Sequence, residues 1–168
     1  MKKLIILLCA SLVLPGCVTN NAKVRPIKEK APKAEVDHGQ LEKRDGLICF
    51  EVTPFTGVGV RKYENGQNAE AHTYKDGRKH GLETSWYENG KKRWDRNFKE
   101  GKPHGLSTVW HKNGKKGVEG YFKDGKEDGQ MNAWHDNGKK AMQATFKDGK
   151  MISEKKWDKE GKLVEPKP

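Results

Sequence analysis

The sequence GLETSWYENGKKRWDRNFKEGKPH, from Gly81 to His104, indicates the fold, because close copies of it fill most of the chain. The copies start at glycines that follow one another every 24 residues. Self-similarity at a fixed period of about 20–50 residues is typical of repeat architectures. We therefore divide the region into repeats at 57–80, 81–104, 105–128 and 129–152, followed by a partial repeat at 153–164 and a tail at 165–168.

Each repeat predicts one β-hairpin and the turn to the next. Apolar and polar residues alternate on both sides of the Asn89-Gly90 pair, which is the period-two pattern of strands. Asn-Gly and acidic-Gly pairs favour turns, because glycine adopts positive φ without steric cost. The expected fold is all-β, an antiparallel meander of β-hairpin repeats in a single twisted, elongated sheet.

The loop length fixes which side chains share a face of the sheet. We expect three-residue loops at both edges, 88–90 and 99–101, because this length puts Trp86 and Trp94 on one face. Most of the apolar side chains on that face are expected to be packed core. The candidate binding surface is its aromatic part: Trp86, Trp94, Phe98, Trp110, Phe122, Trp134, Phe146 and Trp157.

An aromatic face of this size predicts either that strong twist curls the sheet around its own apolar face or that a partner covers it. Monomeric proteins rarely expose apolar patches larger than about 300–600 Å². The covering partner is expected to be another protein, a second copy of the chain or a membrane.

The repeat pattern W-Y-x-N-G-K followed by F-K-D-G-K-x-x-G resembles the MORN-repeat-variant family, whose members include the YwqK-type antitoxins. The resemblance covers roughly residues 46–164, and the segment 54–57, Pro-Phe-Thr-Gly, matches the usual start of that family. The first repeat departs from the pattern, with Lys62 where tryptophan is expected. The resemblance implies a platform for proteins or membranes, or alternatively an antitoxin or immunity protein that neutralises a toxin.

The N-terminal residues predict export and a lipid anchor. Two lysines precede an apolar run at 4–14, which is shorter than the about 20 residues of a membrane-spanning helix. Residues 1–16 are therefore expected to be a signal peptide, and Gly16-Cys17 resembles the lipobox of bacterial lipoproteins. That resemblance implies acylation of Cys17, and Val18 after it implies the outer membrane. A plain secretory signal with an incidental cysteine is the alternative.

The residues after the signal predict a tether and a cap. Residues 17–40 are expected to be the lipidated cysteine and a flexible tether, and residues 41–56 an N-terminal capping strand region. With Cys9 removed and Cys17 acylated, Cys49 is expected to be buried and without a disulfide. The covalent lipid on Cys17 is the only attached group that we expect.

The sequence predicts no catalytic or metal site. His111 and His135 occupy matched positions two strands apart, at a separation of about 9–10 Å, which is too far to share a zinc ion. We expect both, with His80 and His104, to be exposed. The repeats also lack a phosphate loop, a nucleophile-like serine and a non-repeating polar cluster, so we do not expect an enzyme.

Charge limits the choice of partners. The formal net charge is +11, and lysine pairs leave the Asn-Gly turns at 91–92, 115–116 and 139–140. This row of lysine pairs, which we call the lysine comb, is expected to bind anionic lipid headgroups or an acidic protein. Alternatively, it forms a solvated rim that keeps the sheet edges soluble. Nucleic acid is not expected, because the chain is predicted to be exported. The expected partners are the membrane, through the lipid, and a protein or a second copy.

Overall fold

The structure is a computed structural model that describes residues 35–165. Fourteen strands and one short 3₁₀ helix (His38–Gln40) follow one another in this range. No helix among these residues is long and apolar enough to cross a membrane. The strands are β1 (Glu35–Asp37), β2 (Leu41–Arg44), β3 (Leu47–Phe50), β4 (Thr53–Pro54), β5 (Gly57–Lys62), β6 (Asn68–Lys75), β7 (Arg78–Trp86), β8 (Lys92–Lys99), β9 (Lys102–Trp110), β10 (Lys116–Lys123), β11 (Lys126–Trp134), β12 (Lys140–Lys147), β13 (Lys150–Trp157) and β14 (Leu163–Val164).

One open sheet of eleven strands dominates the molecule, and it confirms the predicted meander. Strands β5 to β14 pair in sequence order, each antiparallel to the next. Strand β1 adds to the free edge of β5 in parallel, with Val36 opposite Gly59. Strands β2, β3 and β4 form a separate small sheet.

Residues 35–56, which we call the N-terminal cap, pack over the first hairpin of the long sheet. Val36, Phe55 and Tyr74 form a buried cluster, against which Leu41, Ile48 and Phe50 pack. Backbone hydrogen bonds join the cap to the first acidic-Gly turn, from Ile48 N to Gly77 O at 2.8 Å and from Gly77 N to Phe55 O at 2.9 Å. The last six residues of the predicted tether, 35–40, thus form β1 and the 3₁₀ helix.

Cys49 confirms one expectation. Its side chain is fully buried in β3, as expected, and it is disulfide-bonded in the full chain. The expectation of no disulfide concerns the mature chain, in which Cys9 is removed and Cys17 is acylated, and it stays a prediction. The predicted signal peptide, the lipidation site Cys17 and the tether as far as residue 34 lie outside the described residues.

The Asn-Gly turns have the predicted loop, but the strand after them contains a bulge. Tyr87 N donates to Lys91 O at 2.8 Å around a three-residue loop, and Gly90 has a φ of 76°. Trp86 then pairs with Lys92, whereas Ser85 pairs with Trp94. The extra residue, Arg93, reverses the alternation, so Trp86 and Trp94 lie on opposite faces and the predicted single aromatic face is wrong. Each hairpin repeats this bulge, at residues 69, 93, 117 and 141.

The acidic-Gly turns also differ from the prediction. Lys99 pairs directly with Lys102, which leaves a two-residue loop in place of the expected three. Both loop residues have positive φ, 51° at Glu100 and 79° at Gly101, as type I′ turns require. Asp76, Asp124 and Asp148 have the same conformation in the other repeats. This turn matches the twist of the flanking strands, which explains why it is repeated.

Candidate functional site

The structure divides the eight predicted aromatic site residues between two faces of the long sheet. Cross-strand pairing places four of them on the same face as Ser85 and Arg96, which we call the groove face: Trp94, Phe98, Phe122 and Phe146. The other four lie on the opposite side, which we call the ladder face: Trp86, Trp110, Trp134 and Trp157.

Tryptophans and lysines alternate along the ladder face. Lys92 Nζ lies 5.7 Å from the ring centroid of Trp110, and matching contacts join Lys116 to Trp134 and Lys140 to Trp157. Such cation–π contacts contribute about 0.5–1 kcal/mol each at exposed sites. Lys92 also binds Asp95 at 2.7 Å. Three of the ladder-face tryptophans, Trp110, Trp134 and Trp157, are therefore held by contacts between one repeat and the next.

The residue after each tryptophan position joins its turn to the following repeat. The Tyr87 hydroxyl donates to the carbonyl of Trp110 at 2.8 Å. His111 Nε2 makes the equivalent bond to Trp134 O at 2.8 Å, and His135 Nε2 makes it to Trp157 O at 2.9 Å. These two histidines are half-buried and not exposed as predicted, because each ring lies across the neighbouring strand end.

The asparagine and first lysine of each turn add further links. Asn89 Oδ1 accepts from Lys91 N at 3.1 Å, while its Nδ2 donates to Lys112 O at 3.3 Å in the next turn. Lys91 Nζ donates to Asn113 O at 2.9 Å. The turns at 113–115 and 137–139 repeat these bonds. The lysine comb predicted from the sequence thus stabilises the stack of turns.

The groove face carries an apolar groove of about 320 Å³ across β8 to β11. Its middle row is formed by small residues, because Ser107 and Gly120 are cross-strand partners. A Cβ atom at Gly120 would lie 3.1 Å from the Cε atom of Met131, because the Met131 side chain packs over this glycine. The floor of the groove is therefore at Ser107, with Met131 at its β11 end. Larger apolar side chains stand on either side of this row: Phe98 and Phe122 toward the acidic-Gly edge, and Val109 and Val118 toward the Asn-Gly edge.

Arg96 lines the end of the groove nearest the cap, and Arg93 lies beside the groove on the same strand, β8. The guanidinium carbons of Arg93 and Arg96 lie 4.6 Å and 5.1 Å from the ring centroid of Trp94. Neither arginine forms an ion pair with any residue in the range 35–165. The indole Nε1 of Trp94 is buried and has no hydrogen-bond partner within the same range.

A buried polar cluster lies under the cap, beside the groove. His72 Nε2 lies 3.2 Å from Glu70 Oε2. Its Nδ1 lies 2.9 Å from Glu83 Oε1, although the angle there is not that of a hydrogen bond. Lys79 Nζ binds the same Glu83 oxygen at 2.6 Å, and Arg61 binds Glu70 at 2.8 Å. The expectation that the repeats lack a non-repeating polar cluster is therefore wrong.

The cluster is closed to solvent. His72 and Glu83 are 8% and 6% exposed. Burial of the Glu83 carboxyl acts to raise its pKa, but the contacts with His72 and Lys79 outweigh this and lower the pKa to about 2. His38 from the cap covers the cluster, with its Nε2 at 3.3 Å from the Tyr74 hydroxyl. Burial lowers the pKa of His38, and the nearby His72 lowers it further.

This arrangement fits a cluster that holds the cap against the first two repeats better than a catalytic centre. The histidine and carboxylate atoms contact one another, and His38 of the cap packs against His72. Within residues 35–165, no three His, Cys, Asp or Glu side chains are arranged to hold a metal ion. The repeat alignment could have revealed the cluster, because Glu70 corresponds to Trp94 and Glu83 to Ser107 in the next repeat.

Comparison with known proteins identifies the repeat unit. The MORN repeat variant matches residues 79–99 and 127–148, together about a quarter of the chain. The two matches begin 48 residues apart, which is twice the 24-residue period. No curated protein matches the chain. MORN repeats are generally modules for interaction with proteins or membranes. Residues 79–99 and 127–148 are therefore similar to MORN variant repeats, in a chain whose other repeats share their period and turns.

Proposed function

We propose that this chain is a non-enzymatic interaction protein that binds a partner protein in the groove of its repeat sheet. The observation that supports this most directly is the apolar groove on β8 to β11. The cap packs over β5 and β6 on the same face, so the chain covers one end of that face and leaves the groove beyond it open.

The groove face is a better candidate than the ladder face. On the ladder face, lysines lie over the tryptophan rings and bind carboxylates or backbone carbonyls, so those side chains already have partners. In the groove, the small residue Ser107 leaves space between larger apolar side chains. Concave, mostly apolar sites with a few polar groups are the usual form of binding sites.

Site-specific photo-cross-linking tests this function. A photoreactive amino acid replaces Val109 in the groove or, as the control, Tyr121, which is 52% exposed on the ladder face. In the full-length chain in its native membranes, we expect one defined protein adduct from position 109 and none from position 121. The substitution Ser107→Leu, which fills the groove floor, should abolish that adduct.

Two results would decide against the groove or refine its function. Equal adducts from positions 109 and 121, or an adduct that survives Ser107→Leu, would show that the groove is not the binding surface. A toxic enzyme as the captured protein would identify the chain as an antitoxin or immunity protein. Any other captured protein would fit an interaction platform.

We also propose that the protein is exported and anchored through a lipid on Cys17, at the bacterial outer membrane. The support is the charged start, the short apolar run and the Gly16-Cys17 pair. Metabolic labelling with an alkyne fatty acid tests this proposal. The wild type and the control Cys9→Ser should take up label and pellet with membranes, whereas Cys17→Ser should do neither. Labelled Cys17→Ser protein would contradict the anchor.

A further inference from the structure

We infer that the groove binds an extended, acidic segment of a partner protein, with an apolar side chain seated between the phenylalanine and valine rows. This inference rests on the proposed function and adds the chemical class of the partner. It is carried by two features that meet at the same place, the apolar groove and the unpaired arginine pair at and beside its end.

The dimensions of the groove limit its occupant to a short segment. The groove crosses four adjacent strands, β8 to β11, which at about 4.8 Å per strand gives a length of about 14 Å. An extended chain rises about 3.3 Å per residue, so four or five residues span it. Its volume of about 320 Å³ is near the lower end of the range for ligand sites, about 300–1,000 Å³. These values suit one or two apolar side chains and not a folded surface.

The positive charge around the groove favours a segment with negative charge. Arg96 lines the groove, and none of the other lining residues is acidic. The cross-strand neighbour of Arg96 is Glu83, but Glu83 is engaged by His72 and Lys79. The guanidinium groups of Arg93 and Arg96 are therefore both available, and each can bind a carboxylate in a bidentate manner.

The recessed floor favours a protein segment over a membrane surface. Ser107 is half-buried at the floor, between the side chains of Phe98 and Phe122 on one side and those of Val109 and Val118 on the other. A flat bilayer surface would touch the rim without reaching the floor. A peptide side chain can enter the groove while its neighbouring carboxylate reaches Arg93 or Arg96.

Binding of designed peptides to the full chain tests this inference. The probes are fluorescein-labelled peptides of twelve residues in three sets, measured by fluorescence anisotropy. The first set has a central Leu-Phe pair flanked by Asp and Glu, the second replaces the acidic residues by Lys, and the third replaces Leu-Phe by Ser-Ser. We expect the first set to bind at least about tenfold more tightly than either of the others, a difference of about 1.4 kcal/mol.

Matched variants locate the binding. Arg96→Glu should weaken the first set about tenfold, whereas Arg78→Glu, an equal charge change at an exposed position in the acidic-Gly edge, should change it less than about twofold. Ser107→Leu should abolish binding of the first set. Ser153→Leu, the same substitution at an exposed position on the ladder face, should leave it unchanged.

Several results would overturn the inference. Equal binding of the lysine set would show that acidic residues are not needed for binding. Equal binding of the serine set would show that the Leu-Phe pair is not needed. No binding by any set would refute the acidic segment outright. Self-association lost in Ser107→Leu would assign the groove to a second copy. Binding of anionic vesicles through the groove, lost in Ser107→Leu, would assign it to a membrane.

The proposed function can survive failure of this inference. If position 109 cross-links to a protein but the acidic set shows no preference, the groove binds a partner of different chemistry. If position 109 gives no adduct, the groove function fails, whatever the peptides show.

Discussion

Replacing Glu83 by glutamine should destabilise the protein more at neutral pH than at acid pH. Glu83 lies in the buried cluster that joins the cap to the first two repeats, in contact with His72 and Lys79. Its pKa is lowered from 4.5 to about 2. Each difference of one in pKa corresponds to about 1.4 kcal/mol, so the ionised carboxylate stabilises the folded state by about 3 kcal/mol.

The direction of the pH dependence follows from the lowered pKa. The folded state holds the carboxylate ionised more strongly than the unfolded state does. The contribution of Glu83 is therefore fully present above about pH 5 and is lost as the pH falls toward 2. At pH 3 about half of it should remain. Glu83→Gln should thus lower the free energy of unfolding by about 3 kcal/mol at pH 7 and by about half as much at pH 3.

Urea unfolding measures this effect. Tryptophan fluorescence and circular dichroism should be followed at pH 7, 5, 4 and 3 for the wild type and Glu83→Gln. Glu64→Gln, at an exposed position in the first Asn-Gly turn, is the matched control and should change the free energy of unfolding by less than about 0.5 kcal/mol. A loss in Glu83→Gln that stays the same from pH 7 to pH 3 would refute the role of the buried charge.

Three further predictions concern the stack of turns and the cap. Tyr87→Phe removes the hydroxyl bond to the next repeat and should cost about 0.5–1.5 kcal/mol in urea unfolding, whereas Tyr121→Phe, at an exposed position, should cost nothing measurable. Asn113→Ala removes bonds of 2.9 and 2.7 Å and should cost about 1–3 kcal/mol; an unchanged unfolding midpoint would show that these bonds do not stabilise the stack. Burial, with the charges of nearby glutamates, raises the pKa of Tyr74 to about 12 from 10, so its contribution is present below pH 10 and is lost as the pH rises through 12. Spectrophotometric titration should show one late-titrating tyrosine that is absent in Tyr74→Phe, and no late component in the wild type would contradict the burial of this hydroxyl.

Five positions of the recurring motif, the tryptophan, the residue after it, the asparagine and the two lysines, have a role between repeats. In the second repeat, the carbonyl of Trp86 accepts a hydrogen bond from the Tyr63 hydroxyl of the first repeat. The Tyr87 hydroxyl donates the equivalent bond to the third repeat. The asparagine side chain accepts a hydrogen bond within its own turn and donates one to the next turn. The ammonium group of the first lysine also donates to the next turn. The second lysine lies over the tryptophan of the next repeat. The motif therefore encodes stacking of repeats, and the proposed binding groove lies elsewhere on the sheet.

The period, the strands and the turn positions could be predicted from the sequence, because they depend on local pattern and turn chemistry. The two faces could not be assigned correctly, because a single bulge residue inverts the alternation of a strand. Three of the four bulge positions hold small residues, Ala69, Gly117 and Ala141, which is a usable signal. The fourth holds Arg93, which has no such signature.

The candidate site was missed for the same reason. With the faces misassigned, Ser107 does not appear as the floor of a groove between aromatic and aliphatic rows. The polar cluster requires the correct register as well, because only the pairing of His72 with Glu83 brings it together. The position of the cap over this cluster depends on the parallel pairing of β1 with β5, and no local sequence pattern predicts that pairing.

We propose that the groove face binds a partner while the ladder face joins the repeats, and the five tryptophans report directly on this division. Only Trp94 lies on the groove face, where its ring adjoins the arginine pair. The decisive measurement is a nuclear magnetic resonance titration of the indole N–H signals with the acidic Leu-Phe peptide. We expect the Trp94 signal to shift on binding and the other four to stay in place. Shifts of the Trp86, Trp110 and Trp134 signals, with an unmoved Trp94 signal, would contradict the assignment of binding to the groove face.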